Sequence, residues 1–146
     1  MFDVIVWATD GSPSAEAALP FAAGLAKSGG ARLVIVHVDE LVPSRGGAYH
    51  LQADETDVVA GVEGHLAKLR GEGVDVHLEL RQAGSGGAAH IIADAAREAD
   101  ADLIVVGTRG HGSVAGLILG SVTHRLLHLA PCPVLVVPAQ DRVGTR

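Results

Sequence analysis

The glycine-rich stretch GTRGHGSVAGLILGS, at 107–121, has the composition of a loop that could hold a phosphate group. It follows the apolar run LIVV directly, so its first glycine should end a buried strand. Gly120 precedes Ser121 and Thr123 at the start of a predicted helix, where free backbone N–H groups, two hydroxyls and the positive end of the helix dipole attract anions. The stretch therefore predicts an anion site, although a plain loop with an ordinary helix cap would also be rich in glycine.

Two side chains within this stretch, Arg109 and His111, can add positive charge. Other phosphate loops fit less well. A Walker A loop needs a Gly-Lys pair, which the chain lacks, and the dinucleotide fingerprint belongs after the first strand, where ATDGSPS at 8–14 has one glycine. The Gly-x-Ser-x-Gly elbow of hydrolases is absent. Because 107–121 also contains no Lys and no carboxylate, it indicates a ligand holder rather than a catalyst, and we predict no catalytic residue.

A few other side chains could carry chemistry. Asp10 could bind a metal or a ribose, but Asp before Gly-Ser is also a common turn or cap residue. His124 and His128, four apart on a helix, could share a metal, yet the Glu of a zinc-protease motif is missing, which favours a structural pair. His37, within a buried run, is expected to be a hydrogen-bonded structural histidine. Cys132, between two prolines, is expected to be a small buried residue and not a reactive thiol.

The composition limits the class of protein. With 146 residues, 48% of them hydrophobic and 19% charged, the chain fits a single soluble, globular domain over 1–146. A net charge of -6 and scattered basic residues argue against nucleic acid or an anionic membrane surface as a partner. One cysteine cannot form an internal disulfide, and no apolar stretch approaches the length of a membrane span. We therefore expect the cytoplasm, with no targeting segment.

Apolar patterning predicts five strands and four helices. Strands buried on both faces account for the continuous runs 4–8, 32–38, 102–107 and 133–138, whereas the alternating run 74–80 is typical of an edge strand. The helices are predicted from apolar positions at helical spacing: Ala18, Phe21, Ala22 and Leu25; Val58, Val59, Val62, Leu66 and Leu69; Ile91, Ile92, Ala95 and Ala99; Val122, Leu126 and Leu129. The segment 41–55 shows no pattern and is predicted to be a long, mobile loop.

Alternation of strands and helices predicts an α/β fold, an open five-stranded parallel sheet with helices on both faces and right-handed crossovers. If the winding reverses after the third strand, the strand order is 3-2-1-4-5, and the first and fourth strands are neighbours. Ligands of such sheets bind beyond the carboxyl ends of the strands at this reversal. The segment 8–12 and the glycine-rich stretch would then meet at one crevice.

At this point a family resemblance becomes specific. The stretch fits Gly-x2-Gly-x9-Gly-Ser/Thr, and with ATDGS near the start and PCPVLVVP near the end it resembles the ATP-binding branch of the universal stress protein family. The likeness covers nearly the whole chain and implies a Rossmann-like fold of the adenine nucleotide alpha hydrolase type. It departs from the family at position 8, where Ala replaces the Pro of many relatives, and in the loop 82–90, whose extra glycines place it nearer the ligand or simply make it longer.

The resemblance implies ATP as the ligand, with Mg²⁺ held mainly through its phosphates. The loop and the following helix start would hold phosphates and ribose, Asp10 would face the ribose or a phosphate-bound metal, and the backbone of Val38 would read the adenine edge. The implied binding residues are Ala8, Thr9, Asp10, Val38, Gly107, Thr108, Arg109, Gly110, His111, Gly120, Ser121, Val122 and Thr123.

The last predicted strand, VLVVP at 134–138, is strongly apolar for an edge, and an uncovered edge of this kind invites pairing. The resemblance implies a homodimer in which this strand pairs antiparallel with its copy.

For the chain as a whole, the resemblance implies a nucleotide-dependent regulator of the stress response. Three alternatives stay open: a slow ATPase or a protein that phosphorylates its own Ser113, Ser121 or Thr123; a binder of cyclic AMP or AMP instead of ATP; and an interaction module without nucleotide.

Overall fold

The computed structural model describes residues 1–50, 55–84, 86–108 and 119–139 of the chain. Strands and helices alternate along this part. In chain order the elements are β1 (Val4–Thr9), α1 (Pro13–Gly29), β2 (Arg32–Ser44), β3 (Gly47–His50), α2 (Glu55–Gly71), β4 (Val76–Ala83), α3 (Ala88–Glu98), β5 (Leu103–Gly107), α4 (Ser121–Leu129) and β6 (Val134–Val137). No helix within these ranges is long and apolar enough to cross a bilayer.

Five of the strands form one parallel sheet in the order β4-β2-β1-β5-β6. Counted along the predicted strands this is 3-2-1-4-5, so the predicted order is confirmed. Val6, in the middle of β1, lies beside Val34 of β2 on one side and Ile104 of β5 on the other. The winding therefore reverses between β1 and β5, as predicted.

Helices cover both faces of this sheet, which confirms that prediction too. Ile5 and Trp7 of β1 pack in the cluster that contains α1 and α2, whereas Val6 and Ala8 pack in the cluster that contains α3 and α4. Since neither face of β1 meets water, its residues have no reason to alternate between apolar and polar. This explains the continuous apolar runs of the central strands.

Helix α1 begins where its sequence predicts. The Ser12 side chain accepts a hydrogen bond from the Ala15 N–H at 3.3 Å, and Pro13 occupies the first helical position, where its missing N–H costs nothing. The helix ends at Gly30, whose φ of 65° is left-handed and favours glycine. These signals fix the direction in which the chain leaves β1.

The alternating run 74–80 does form an edge strand, because β4 pairs only with β2 among the described strands. The strand starts at Val76 and continues to Ala83, so it takes the first residues of the glycine-rich segment 82–90. Because α3 begins at Ala88, only 84–87 remain between the two elements. The turn after β4 is therefore short rather than extended.

The predicted loop over 41–55 is wrong for most of its length. β2 continues to Ser44 and forms an antiparallel hairpin with β3, in register from Leu41 beside His50 to Ser44 beside Gly47. Gly47 has a φ of 119°, which a glycine adopts without strain. Backbone pairing across a tight turn needs no hydrophobic period, so the apolar pattern gave no sign of this hairpin.

The first turn of α1 lies directly against the end of β5. A Cβ atom at Gly107 would come within 2.5 Å of the Ser14 carbonyl oxygen, closer than atoms can pack. The missing side chain of Gly107 therefore makes room for protein backbone in this structure.

We predict that Gly107→Ala lowers the free energy of unfolding by about 1–3 kcal/mol, because helix α1 must move away from β5 to admit the methyl group. Urea denaturation of both proteins measures the difference. Gly64→Ala is the matched control: Gly64 lies on exposed α2 with open space around it, and alanine there should stabilise by about 0.5–1 kcal/mol. Equal effects of the two substitutions would contradict the close approach of α1.

Candidate functional site

The carboxyl ends of β1 and β5 lie at one edge of the sheet, beside the middle of β2, which continues past His37 to Ser44. Thr9, the last residue of β1, is paired with His37 of β2, and Trp7 is paired with Val105 of β5 two residues before that strand ends at Gly107. This is the crevice at which the sequence predicts a ligand. The hydroxyls of Ser14, in the first turn after β1, and of Thr108, the first residue after β5, lie 3.4 Å apart there.

The start of α4 is fastened to the end of β5 by two hydrogen bonds. The Gly120 N–H donates to the Thr108 carbonyl at 2.6 Å, and the Thr123 hydroxyl donates to the Gly107 carbonyl at 2.9 Å. Four of the predicted binding residues are thus brought together by contacts among themselves. The helix terminus is held at a fixed place beside the strand.

The first turn of α4 has the features of an anion-binding helix terminus. Gly120 precedes the helix and has no side chain with which to cap it, and the first turn contains no acidic residue. The N–H of His124 is the first to bond back within the helix, to the Gly120 carbonyl at 3.0 Å. The N–H groups of Ser121 and Val122 stand at the positive end of the helix dipole.

The hydroxyls proposed as phosphate acceptors differ in their surroundings. Ser121 is exposed, whereas Thr123 is buried and its hydroxyl proton is directed to the Gly107 carbonyl. Thr123 is therefore poorly placed to receive a phosphoryl group. Ser113, the third candidate, lies outside the described residues.

At the end of β1 the chain turns sharply around Asp10. The Asp10 carboxylate accepts a hydrogen bond from the Ser12 N–H at 2.9 Å, and the Thr9 hydroxyl accepts one from the Gly11 N–H at 3.0 Å. Gly11 has a φ of 78°, in the left-handed region. Asp10 thus has the turn role that its sequence context predicts.

Thr108 joins three segments of the chain. Its hydroxyl lies 3.4 Å from the Ser14 hydroxyl of α1 and 3.4 Å from the N–H of Ala139, which follows β6. Sequence reasoning missed Ser14, although a serine in the first turn of the helix after β1 must lie at this edge of the sheet.

Ala8 and Val38 are buried in the core cluster on the α3 and α4 side of the sheet. Their side chains fill the core, so a ligand at the sheet edge would meet their backbone groups. Arg109, Gly110 and His111, the other expected loop residues, lie outside the described part of the chain.

The carboxyl groups of Asp10 and Glu40 lie near each other at this edge of the sheet. Partial burial raises the pKa of the Glu40 carboxyl, and the nearby Asp10 carboxylate raises it further. Two carboxylates this near each other repel when both are charged. An anionic ligand here would meet this repulsion unless a cation accompanied it.

His37 is the buried, hydrogen-bonded histidine that the sequence predicts. Its Nδ1 lies 2.8 Å from the Thr9 carbonyl oxygen and its Nε2 lies 2.6 Å from Oε1 of Glu55, at the start of α2. Sequence reasoning did not identify Glu55, because no spacing pattern connects it with His37.

The other candidate side chains do not form a chemical site. His124 and His128 are exposed and stack edge to face, with ring centroids 5.3 Å apart, and nowhere in the described ranges do three possible metal ligands converge. Cys132 is half-buried rather than buried. Burial, and then the charge of Asp102, raise the pKa of its thiol, as expected of an unreactive cysteine.

Comparison with known proteins agrees with this geometry. Residues 1–138 match the family model described as the universal stress protein family. A universal stress protein of Thermus aquaticus is 38% identical over 140 residues, which cover 94% of this chain and 99% of the relative.

Solved structures show the same fold. A universal stress protein in complex with cAMP is 26% identical, covers 94% of this chain and 98% of its own, and has a TM-score of 0.64. The universal stress protein from Archaeoglobus fulgidus in complex with dAMP is 28% identical, covers 93% of this chain and 97% of its own, and has a TM-score of 0.62. With the sheet order, the helix terminus at its edge and a family match over almost its full length, the chain belongs to the universal stress protein family.

Proposed function

We propose that the protein binds an adenine nucleotide in the crevice beyond the carboxyl ends of β1 and β5, and that the nucleotide is ATP acting as a regulatory signal. The observation that carries this proposal is the first turn of α4, which has no capping side chain from Gly120 and is held by hydrogen bonds against the end of β5. Backbone N–H groups in a fixed array suit a phosphate chain.

The complexes of relatives support an adenine nucleotide. One solved universal stress protein is a complex with cAMP and another is a complex with dAMP, and both share more than nine-tenths of this chain's length. Both ligands combine adenine with a phosphate. In the present chain the adenine would lie beside the middle of β2, near the backbone of Val38, and the phosphates toward Gly120.

Mg²⁺ would accompany ATP and be held mainly by its phosphates. Asp10 and Glu40 place two interacting carboxylates near the crevice, and a triphosphate alone would add to their repulsion. A divalent cation carried by the phosphates would offset this charge, and Asp10 would face it. These residues bind and orient the nucleotide.

A homodimer formed through β6 is a second part of the proposal. The two edges of the parallel sheet differ: β4 carries Glu79 and Arg81, whereas β6 has the uncharged sequence VLVV. Charges on an edge strand oppose pairing with another strand, and their absence permits it. The β6 edge is therefore the one suited to a second copy.

The first prediction is that the purified protein binds ATP with Mg²⁺. Thermal unfolding should show stabilisation of about 2.7 kcal/mol when ATP is present at 100 times its Kd. Parallel titrations with AMP and cyclic AMP rank the ligands, and tighter binding of either one would replace ATP in the proposal. If none of the three shifts the transition, and denatured protein releases no adenine nucleotide, the proposed function is wrong.

A second prediction concerns Gly120→Val. The φ of Gly120 is −70°, which any residue can adopt, but the residue is buried, so circular dichroism first establishes that the variant is folded. In the folded variant the isopropyl group should obstruct the first turn of α4. We expect at least a tenfold loss of ATP affinity by calorimetry, equivalent to about 1.4 kcal/mol. Gly24→Val, on an exposed part of α1 with open space around it, is the control and should bind normally. Normal ATP binding by both variants would contradict the proposal that the first turn of α4 binds the phosphates.

The third prediction tests the dimer with Val136→Pro. The Ile104 N–H donates to the Pro133 carbonyl, so Leu135 directs its backbone groups to β5 and Val136 directs its own outward. Proline at position 136 therefore removes a donor needed only by a partner strand. Light scattering should find a dimer for the wild type and a monomer for the variant. Leu80→Pro, facing outward on β4, should leave the dimer intact; a wild-type monomer would refute the dimer.

A further inference from the structure

The contact between His37 and Glu55 connects three elements behind the candidate site. His37 is buried, with 1% of its surface exposed, and is paired with Thr9 in the sheet. Its ring lies between the Thr9 carbonyl oxygen, 2.8 Å from Nδ1, and Oε1 of Glu55, 2.6 Å from Nε2. Glu55 is the first residue of α2, so the pair joins that helix to the end of β1 and the middle of β2.

The hydrogen-bond roles in this pair follow from the chemistry of the partners. A carbonyl oxygen only accepts, so Nδ1 of His37 must carry a proton and donate it to Thr9. A second proton must then lie between Nε2 and the Glu55 carboxyl group, since two lone pairs would otherwise face each other at 2.6 Å. The other oxygen of Glu55, Oε2, is buried without a hydrogen-bond partner among the described residues. Among the described residues, the contact of Oε1 with His37 is therefore the one polar contact of this carboxyl group.

The residue held by His37 is the one from which the Asp10 turn starts. The Thr9 hydroxyl accepts the Gly11 N–H, and the Asp10 carboxylate accepts the Ser12 N–H. Helix α2 also contacts this turn directly, because a Cβ atom at Gly11 would lie 2.8 Å from a methyl carbon of Val58. The first turn of α2 thus supports the Asp10 turn through His37 and through Val58.

We propose that Glu55 is a positioning residue: through His37 it holds the Thr9 carbonyl and the Asp10 turn in the conformation that accepts the nucleotide. The effect on ligand affinity rests on the proposed function, whereas the effect on the turn does not. Glu55 need not touch the nucleotide. The length of its side chain, which brings the carboxyl group to His37, determines this effect. Its negative charge at the start of α2 contributes less.

Two substitutions separate the effect of the length of the Glu55 side chain from the effect of its charge. Glu55→Asp keeps the charge at the start of α2 but shortens the side chain by one methylene, which withdraws the carboxylate from His37. Glu55→Gln removes the charge but keeps the reach, and its amide N–H can donate to Nε2 while Nδ1 still donates to Thr9. Asp57→Asn is the control, because Asp57 is an exposed acidic residue in the same turn of α2.

The experiment measures amide hydrogen exchange of Gly11 and Ser12 by NMR in the free protein, and ATP affinity by calorimetry. For Glu55→Asp we expect exchange at both amides to accelerate about tenfold and affinity to fall about tenfold, as the loss of one buried hydrogen bond implies. Glu55→Gln and Asp57→Asn should resemble the wild type in both measurements.

Unchanged exchange at Gly11 and Ser12 in Glu55→Asp would overturn the proposal. So would an acceleration of equal size in Asp57→Asn, because the cause would then be the charge at the helix start. If the wild type binds no adenine nucleotide, the proposed function fails, yet the exchange measurement still decides whether Glu55 positions the Asp10 turn.

Discussion

The reversal of winding between β1 and β5 is the constraint on which the rest of the structure depends. The two strands are parallel neighbours, but α1 packs on one face of the sheet and α4 on the other. The chain therefore leaves the two strands toward opposite faces of the sheet, and folds of this kind bind ligands between the carboxyl ends of two such strands. Gly107 lies at this point, and its lack of a side chain lets the first turn of α1 close one side of the crevice.

Both side-chain and backbone groups form the hydrogen bonds around the crevice. The Thr123 hydroxyl and the Thr108 carbonyl form the hydrogen bonds that hold α4 beside β5. The first N–H groups of α4 remain at the positive end of the helix dipole. On the other side, Thr9 and Asp10 use side-chain oxygens to hold the turn. The start of α4 and the turn after β1 are thus held in place by groups other than the backbone N–H donors of α4 that suit a phosphate.

The apolar pattern predicted the five parallel strands, their order and the two covered faces, because burial on both faces leaves a direct record in the sequence. It failed at 41–50, where a hairpin is held by backbone pairing that leaves no such record. For the site, Gly107, Thr108, Gly120 and Thr123 were predicted and lie together. Ser14 and Glu55 were not, because their partners are distant in the chain.

By itself, the sequence determined the buried runs of the central strands, where α1 begins and which segments follow the carboxyl ends of the strands. These follow from hydrophobic period, caps and glycines, which act within a few residues. Only the tertiary structure decided that Gly107 makes room for α1, that the Thr123 hydroxyl bonds to β5, and that Glu55 meets His37. Each of these depends on the distance between elements that packing alone brings together, and a hydrogen bond is sensitive to tenths of an ångström.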